Sequence, residues 1–437
     1  MKMKKEISDK LFAKGVCRSL FVFGLGDCWY EAMDLSRVQK ILYAIWMFIS
    51  NTYLIIVVFS EVLANLRSDL TLKENNDCIQ FSMAHTTVLG KFLVVYLNRF
   101  KIRKFYQRLI EDTRTTFSAS SEAAAVRKSK VYIGIVTLSM ILCLSMTTVD
   151  GIMFHFREGI PVRTLVTYWP KNEDRGWFVS LARVATQFHW WYLIAVMVAS
   201  DSVCITALIY LGFKFRSLRL FFLSLKRNFE ENVSEKNQSE LVDEYLEGFV
   251  KGIQLHDRIL WCAKNLQTAL GNVYSFQVVQ SITLLSMCLI KLVSGDRSFT
   301  FILANTAFIL CLLALTGTYM MAAGEITCEA SLVPVCIFQS GWERCGGAPL
   351  RPLLVMSLMR SQAPVASLVP VCIFQSGWER CGGAPLRPLL VMSLMRSQAP
   401  VVMTAFGIFD LSYRNFISVR WSNPVFNSMR IWSRTRH

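Results

Sequence analysis

Histidines and cysteines are the side chains in this chain that most readily bind metals or act as nucleophiles, so their spacing is the first test for such chemistry. The 13 cysteines are scattered and form no CxxC pair, which argues against a zinc site and a secreted disulfide framework. His85, His155 and His189 stand singly, and we interpret them as packed or interfacial residues. Because we find no nucleophile–base pair, phosphate loop or metal cluster, we predict a non-enzyme with no catalytic residues, metal or other cofactor.

Aromatic and hydroxyl side chains indicate a different chemistry, the noncovalent binding of a small apolar molecule. Ligand pockets are lined mainly by apolar and aromatic groups, with a few polar groups that fix orientation. Aromatic residues near the ends of membrane spans more often form interfacial belts than ligand sites, and both interpretations remain open. The candidate binding residues are Ser145, Thr148, Phe188, Trp191, Tyr192, Phe301, Asn305 and Phe308.

Long apolar runs carry these candidate residues. Hydrophobic residues make up 53% of the chain and charged residues 18%, whereas soluble domains have about 25% charged residues. Crossing the hydrocarbon core takes about 20 residues of helix. The sequence therefore predicts six membrane spans, at residues 41–60, 78–97, 131–149, 184–213, 265–290 and 299–324. His85 and Lys91 interrupt the second span and Asp201 the fourth, so we expect His85 or Lys91 to face the helix bundle.

Positive charge in the connections predicts the orientation of the spans. Residues 1–40 contain eight Lys and Arg residues, residues 98–130 contain nine, and residues 214–227 contain five with no acidic residue. Residues 150–183 also contain five, but four acidic residues balance them. We therefore place the N-terminal segment 1–40 in the cytosol, without a signal peptide. The predicted fold class is an all-α polytopic membrane protein with inverted topology, the reverse of a G-protein-coupled receptor.

The long fourth connection, residues 214–264, is predicted to be cytosolic and to contain an amphipathic helix that continues into the fifth span. Its sequons at Asn232 and Asn237 would then remain unglycosylated. The apolar positions of this helix are Leu241, Tyr245, Leu246, Phe249, Val250, Ile253 and Leu260.

An identical repeat follows the sixth span, within a predicted cytosolic anchor region at residues 325–401. The 36 residues 330–365 recur letter for letter as residues 366–401. Structural repeats usually need about three copies to bury a core, so we interpret this pair as a duplicated exon or an assembly fault.

A seventh span is expected next, with its start at residues 402–419. The longest uncharged run there, residues 397–409, is 13 residues long and too short to cross a bilayer. Residues 420–437 form a basic tail that contains Pro424. We hypothesise that the translated sequence no longer corresponds to the correct coding sequence of the gene from Val419–Arg420 onward.

Four motifs lie around the sixth span and after it. They read AGEITCEA at 323–330, QSGWE at 339–343, LLVMSLMRSQAPVV at 389–402 and TAFGIFDLS at 404–412. Together they resemble the motifs of the insect odorant receptor family, the seven-helix olfactory receptors with inverted topology. As a set they are fairly specific, and singly they are weak. The matching positions are Glu325, Glu329, Trp378, Arg396, Gln398, Pro400, Gly407, Phe409 and Ser412.

The resemblance implies a subunit of a ligand-gated cation channel that forms a heteromer with an odorant co-receptor. A small volatile ligand would bind in the outer half of the bundle, and the last span would line the pore. The other expected partner is the lipid bilayer, and no nucleic-acid partner is expected. The expected location is the cell membrane, as a multi-pass protein, in the dendrites of olfactory sensory neurons.

Three alternatives remain open at the level of sequence. The first is a gustatory receptor of the same superfamily. The second is a receptor product that is truncated, or translated from a wrongly assembled gene, and that inserts into the membrane but conducts nothing. The third is a transporter, which would need inverted repeats with broken helices at the bilayer midplane, and the sequence shows none. The sequence does not identify the odorant.

Overall fold

The computed structural model describes residues 2–111, 119–159, 165–171, 173–232, 238–294, 298–340, 402–406, 409–413 and 415. Within these residues the chain forms eight α-helices and one two-stranded antiparallel hairpin. The helices are α1 (Lys2–Val22), α2 (Arg37–Ala64), α3 (Leu72–Leu97), α4 (Arg99–Glu111), α5 (Ala119–Glu158), α6 (Trp177–Asn232), α7 (Gln238–Ser294) and α8 (Phe299–Phe338). The strands are β1 (Thr404–Ala405) and β2 (Phe409–Asp410).

Six helices in the described part of the chain, α2, α3, α5, α6, α7 and α8, are long and apolar enough to cross a membrane. Each of the six predicted spans lies within one of them, so all six are long apolar helices as predicted. Polar caps fix where α2 and α3 begin. Ser36 with Gln39, and Thr71 with Glu74, form capping boxes that satisfy backbone N–H groups of the first helical turn.

Helix α6 lies at the centre of the bundle. In its most apolar stretch 78% of the residues are buried, against 22% in α2 and in α5. It packs against α1, α3, α5, α7 and α8, as expected for a helix that is apolar on all sides. Asp201, near the middle of α6, is consequently fully buried.

The ends of α6 and α7 beyond their apolar spans pack together as a long helical hairpin. The rings of Phe229 and Tyr245 meet edge to face at 5.5 Å, and the Tyr245 hydroxyl donates to the carbonyl of Ser340 at 3.0 Å. The predicted amphipathic helix is confirmed, since Tyr245 and Phe249 are buried on this face, although Val250 is 37% exposed. The hairpin thereby also holds the end of α8.

The N-terminal forty residues, which the sequence predicts to be cytosolic, pack against the helix bundle. Helix α1 packs against α5 and α6, and the carbonyl of Phe23 accepts hydrogen bonds from the hydroxyls of Ser50 and Tyr192, both at 3.3 Å. Because Ser50 lies halfway along α2, the segment penetrates to half the length of that helix. The chain then reverses at Gly24 and Gly26, whose φ angles of +77° and +82° are readily adopted only by glycine.

The last helix does not begin at residue 402 as predicted, because this segment is extended. Thr404 pairs with Asp410 in the β1–β2 hairpin. The side chain of Gln267 donates to the carbonyl of Thr404 at 2.8 Å and accepts from its N–H at 3.1 Å. Helical geometry begins only at Tyr413. The second copy of the repeat, residues 366–401, and the tail, residues 420–437, lie outside the described residues.

Candidate functional site

A small cavity lies inside the bundle, enclosed by α3, α5, α6, α7 and α8. Its volume is about 40 Å³, enough for a few water molecules. A ligand larger than that must therefore displace the side chains around it. The walls include the aromatic residues Phe81, Trp190 and Phe308, the aliphatic residues Met140, Leu144 and Ile194, and the polar residues His85 and Gln280.

Phe81 of α3 is the central ring of the aromatic wall. Its centroid lies 5.9 Å from that of Trp190 and 6.2 Å from that of Phe308, both edge to face, and 5.8 Å from the ring of His85. Edge-to-face pairs of this kind are worth about 0.5–1.5 kcal/mol beyond the burial of area. Phe81 thus joins α3, α6 and α8 around the cavity.

Two polar groups border the cavity. His85 meets the carboxylate of Glu61 at 2.5 Å, and both side chains are buried, so His85 is a satisfied residue of the bundle and faces its interior as predicted. Gln280 is 4% exposed, and its side-chain oxygen has no hydrogen-bond partner in the described structure. A buried acceptor without a partner costs free energy. Gln280 can therefore accept a hydrogen bond from a ligand hydroxyl.

Residues 165–168, which belong to a connection that the sequence predicts to be external, pack beside the cavity. Leu165 is buried against Phe81, Leu144 and Trp190, and the N–H of Tyr168 donates to the carbonyl of Ser60 at 3.0 Å. We call residues 165–168 the external cover. Leu165 thus packs on side chains that also form the cavity wall.

Arg67 fixes the external cover to the end of α2. Its guanidinium donates to the carbonyl of Thr167 at 2.8 Å and to the carboxylate of Asp69 at 3.0 and 2.5 Å. The ion pair lowers the pKa of Asp69 to about 2. Because the pKa is lowered by folding, the contribution of the pair to stability is complete above about pH 4 and is lost as the pH falls through 2.

We expect Arg67→Met to loosen the external cover. Hydrogen bonds to charged groups contribute about 1.5–3 kcal/mol, so the amide of Tyr168 should exchange its hydrogen roughly ten- to a hundredfold faster. Hydrogen–deuterium exchange at fixed pH measures this, with the exposed Lys171 changed to Met as the control. Equal exchange in the wild type and in Arg67→Met would contradict the role of Arg67.

A buried polar cluster lies close to the cavity and joins four helices. The ammonium of Lys91 lies 3.4 Å from a carboxylate oxygen of Asp201 and donates to the side chain of Gln277. The Tyr319 hydroxyl donates to the same Asp201 oxygen at 2.7 Å. Lys91, Asp201, Gln277 and Tyr319 come from α3, α6, α7 and α8 in that order, and Lys91 faces the bundle as expected for a charged residue within a span. A shift of one helix would disturb the other three.

Comparison with known proteins identifies the family. A family model described as "7tm Odorant receptor" matches residues 71–375, well over half of the chain. The chain belongs to the odorant receptor family. It is accordingly a membrane receptor and not an enzyme, and the gustatory alternative is set aside.

The fold of this odorant receptor agrees with solved structures of the insect olfactory receptor OR5 from Machilis hrabei. One matches with a TM-score of 0.69 at 10% identity, covering 96% of this chain and 97% of that one. The other, in complex with eugenol, matches with a TM-score of 0.70 at 10% identity, covering 98% and 99%. At this identity the likeness concerns the fold alone. A search of curated protein sequences found no match.

The two acidic residues of the family motif form ion pairs with neighbouring helices. Glu325 binds Lys128 of α5, and Glu329 lies 3.0 Å from Arg219 of α6. These pairs hold the end of α8 against the basic ends of α5 and α6. Of the other motif positions, Ser412 accepts a hydrogen bond from the N–H of Asn415 and Phe409 lies in β2. Trp378, Arg396, Gln398, Pro400 and Gly407 lie outside the described residues.

Of the predicted ligand-binding residues, the structure places Phe308 at the interior cavity. Trp191 instead lines a second, more open groove, and Phe188 is 68% exposed on the outer surface of the bundle. Tyr192 donates to the carbonyl of Phe23. These three positions lie outside the cavity wall.

The predicted polar residues are bonded to their own helices. Ser145 and Thr148 donate to the carbonyls of residues four positions earlier, at 2.8 and 2.7 Å. Asn305 donates to the carbonyl of Phe301 at 2.9 Å, and both residues are buried. None of these four residues lines the cavity.

Sequence reasoning missed Phe81, Trp190 and Gln280. One signal was present for Phe81, because it precedes His85 by four residues and residues so spaced share a helix face. No such signal distinguishes Trp190 from Trp191, since adjacent residues point in different directions and both are apolar.

Proposed function

We propose that this receptor binds a small volatile apolar ligand in the interior cavity and opens a cation pore that it shares with an odorant co-receptor. The main support is the cavity itself, with its aromatic wall around Phe81 and the unpaired acceptor of Gln280. The fold it shares with a receptor solved with eugenol agrees with this. The receptor would act in the cell membrane of sensory dendrites, with its N-terminus in the cytosol.

Ligand binding can open a pore only if the open and closed states differ in affinity for the ligand. A cavity of about 40 Å³ must expand around a ligand, which moves the walls that α3, α6 and α8 contribute. The buried cluster around Lys91 and Asp201 joins these helices to α7. We infer that this movement is passed through the cluster and along α7 to Gln267, near the middle of that helix, which binds the segment that leads to the expected pore helix.

Ligand binding can be tested without current. We expect eugenol to stabilise the purified full chain in bilayer nanodiscs, by about 2.7 kcal/mol at a concentration of 100 times its Kd. Gln280→Leu should weaken binding at least severalfold, because the ligand hydroxyl loses its acceptor. Thermal unfolding with increasing eugenol measures both effects, and stabilisation that is absent or independent of Gln280 would contradict the assignment of the site.

The competing function is a non-conducting product, favoured by the identical repeat and by the short apolar run at residues 397–409. Sequencing of the spliced transcript, followed by recording with the co-receptor, separates the two. A transcript that encodes one copy of the repeat and an apolar last span predicts odorant-evoked current. A transcript that encodes both copies of the repeat and the basic tail predicts membrane insertion without current.

A further inference from the structure

A second, larger groove lies between α1, α5 and α6. Its volume is about 630 Å³, and its walls include Phe12, Gly15, Thr137, Ala195 and Val198. The exposed side chains beside it on α5, such as Leu138 at 69% and Ile141 at 49% exposure, are apolar, as expected of a surface that faces lipid. The groove therefore faces the bilayer.

The groove and the interior cavity share a wall. Met140, Leu144 and Ile194 line both of them. Met140 and Leu144 are 5% and 4% exposed, so they close the boundary in the present structure. A single layer of flexible aliphatic side chains separates the two spaces, and methionine in particular adapts easily to a changed neighbour.

The groove suits an uncharged, apolar occupant. Two of its hydroxyls are already used within their own helices, since Ser19 donates to the carbonyl of Val16 at 2.7 Å and Ser202 to that of Val198 at 2.6 Å. Apolar molecules partition from water into hydrocarbon by roughly 0.8 kcal/mol for each CH₂ group. A volatile apolar ligand is thus concentrated at the mouth of this groove.

We propose that the small apolar ligand enters the interior cavity sideways from the bilayer, through this groove and past Met140, Leu144 and Ile194. The proposal rests on the proposed function, because it assumes that the cavity is the ligand site. The external cover agrees with it, because Leu165 packs on Phe81, Leu144 and Trp190 on the side of the cavity that the predicted topology places outside. The groove is then a waiting site for the same ligand.

Two glycines give a matched pair of variants. A Cβ atom added at Gly15, which lines the groove, or at Gly134, which does not line it, would meet nothing within 4 Å. Gly15→Phe should slow both the onset of eugenol binding and its washout by about tenfold, which corresponds to roughly 1.4 kcal/mol on the barrier. The equilibrium affinity should stay unchanged, because the cavity is intact. Gly134→Phe should bind at the wild-type rate.

Stopped-flow tryptophan fluorescence of the full chain in bilayer nanodiscs, with eugenol as the probe, measures these rates. Unchanged rates in Gly15→Phe with intact equilibrium binding would overturn the lateral route alone. Equilibrium binding that is absent in the wild type would overturn the proposed ligand site and the route together.

A diazirine derivative of eugenol tests occupancy of the groove directly. We expect labelling at Val198 and Ala195 that unlabelled eugenol competes away, and labelling at Leu138 that it does not. Labelling of the groove that eugenol fails to compete would show that a phospholipid chain or non-specific lipid contact fills it, and would overturn the proposal.

Discussion

Replacement of Phe81 by alanine is expected to destabilise the receptor by about 3–5 kcal/mol, the usual cost of truncating a buried aromatic residue. Phe81 is 7% exposed, and its ring contacts those of Trp190, Phe308 and His85. The same change removes the centre of the cavity wall. We therefore also expect the affinity for eugenol to fall at least tenfold, measured by equilibrium binding in nanodiscs at a temperature where the variant remains folded.

The matched control for Phe81→Ala is Phe188→Ala. Phe188 is 68% exposed on the outer surface of the bundle, so its loss should change stability by less than about 0.5 kcal/mol and leave eugenol binding intact. The sequence predicted Phe188 as a ligand-binding residue, whereas in the structure it is Phe81 that lines the cavity. A larger loss of binding in Phe188→Ala than in Phe81→Ala would show that the ligand site lies elsewhere.

Asp201→Asn is expected to destabilise the receptor by roughly 3–5 kcal/mol, because it leaves the ammonium of Lys91 buried without its counter-charge. Lys91 and Asp201 are 1% and 0% exposed, and their partners on α7 and α8 bind the same two groups. Thermal unfolding in detergent and the amount of receptor at the cell surface measure the loss. Lys91→Met alone should cost a similar amount.

The double variant Lys91→Met with Asp201→Asn decides between a charge effect and a packing effect. If the cost of each single change comes from an unpaired buried charge, the double variant should recover most of the stability. Lys251→Met, at an exposed position of α7, is the control for loss of a positive charge. Strictly additive losses in the double variant would contradict the ion-pair account.

Local sequence was sufficient to locate the spans. Apolar length is a property of each segment alone, and so residues 41–60 and 299–324 were found without knowledge of their neighbours. The capping residues Ser36 and Thr71 act within one helical turn. The charged residues inside spans were also informative, because a lysine such as Lys91 in a membrane protein must face the bundle.

Helix packing was needed to show which apolar residues face the interior cavity. In a soluble protein the buried face of a helix is the apolar one, but in a bilayer the lipid-facing side is equally apolar. Hydropathy therefore cannot tell Trp190, at the cavity, from Trp191, which lines the groove between α1, α5 and α6. The rotation of each helix is set by packing against its neighbours.

Long-range contacts likewise set the paths of both ends of the described chain. Phe23 reaches the middle of α2 because hydroxyls of Ser50 and Tyr192 bind its carbonyl, 27 and 169 residues away along the chain. Thr404 is extended because Gln267, 137 residues earlier, satisfies its backbone. Local sequence patterns carry no record of such partners, and hydrogen bonds across the fold outweigh the local preference of these segments.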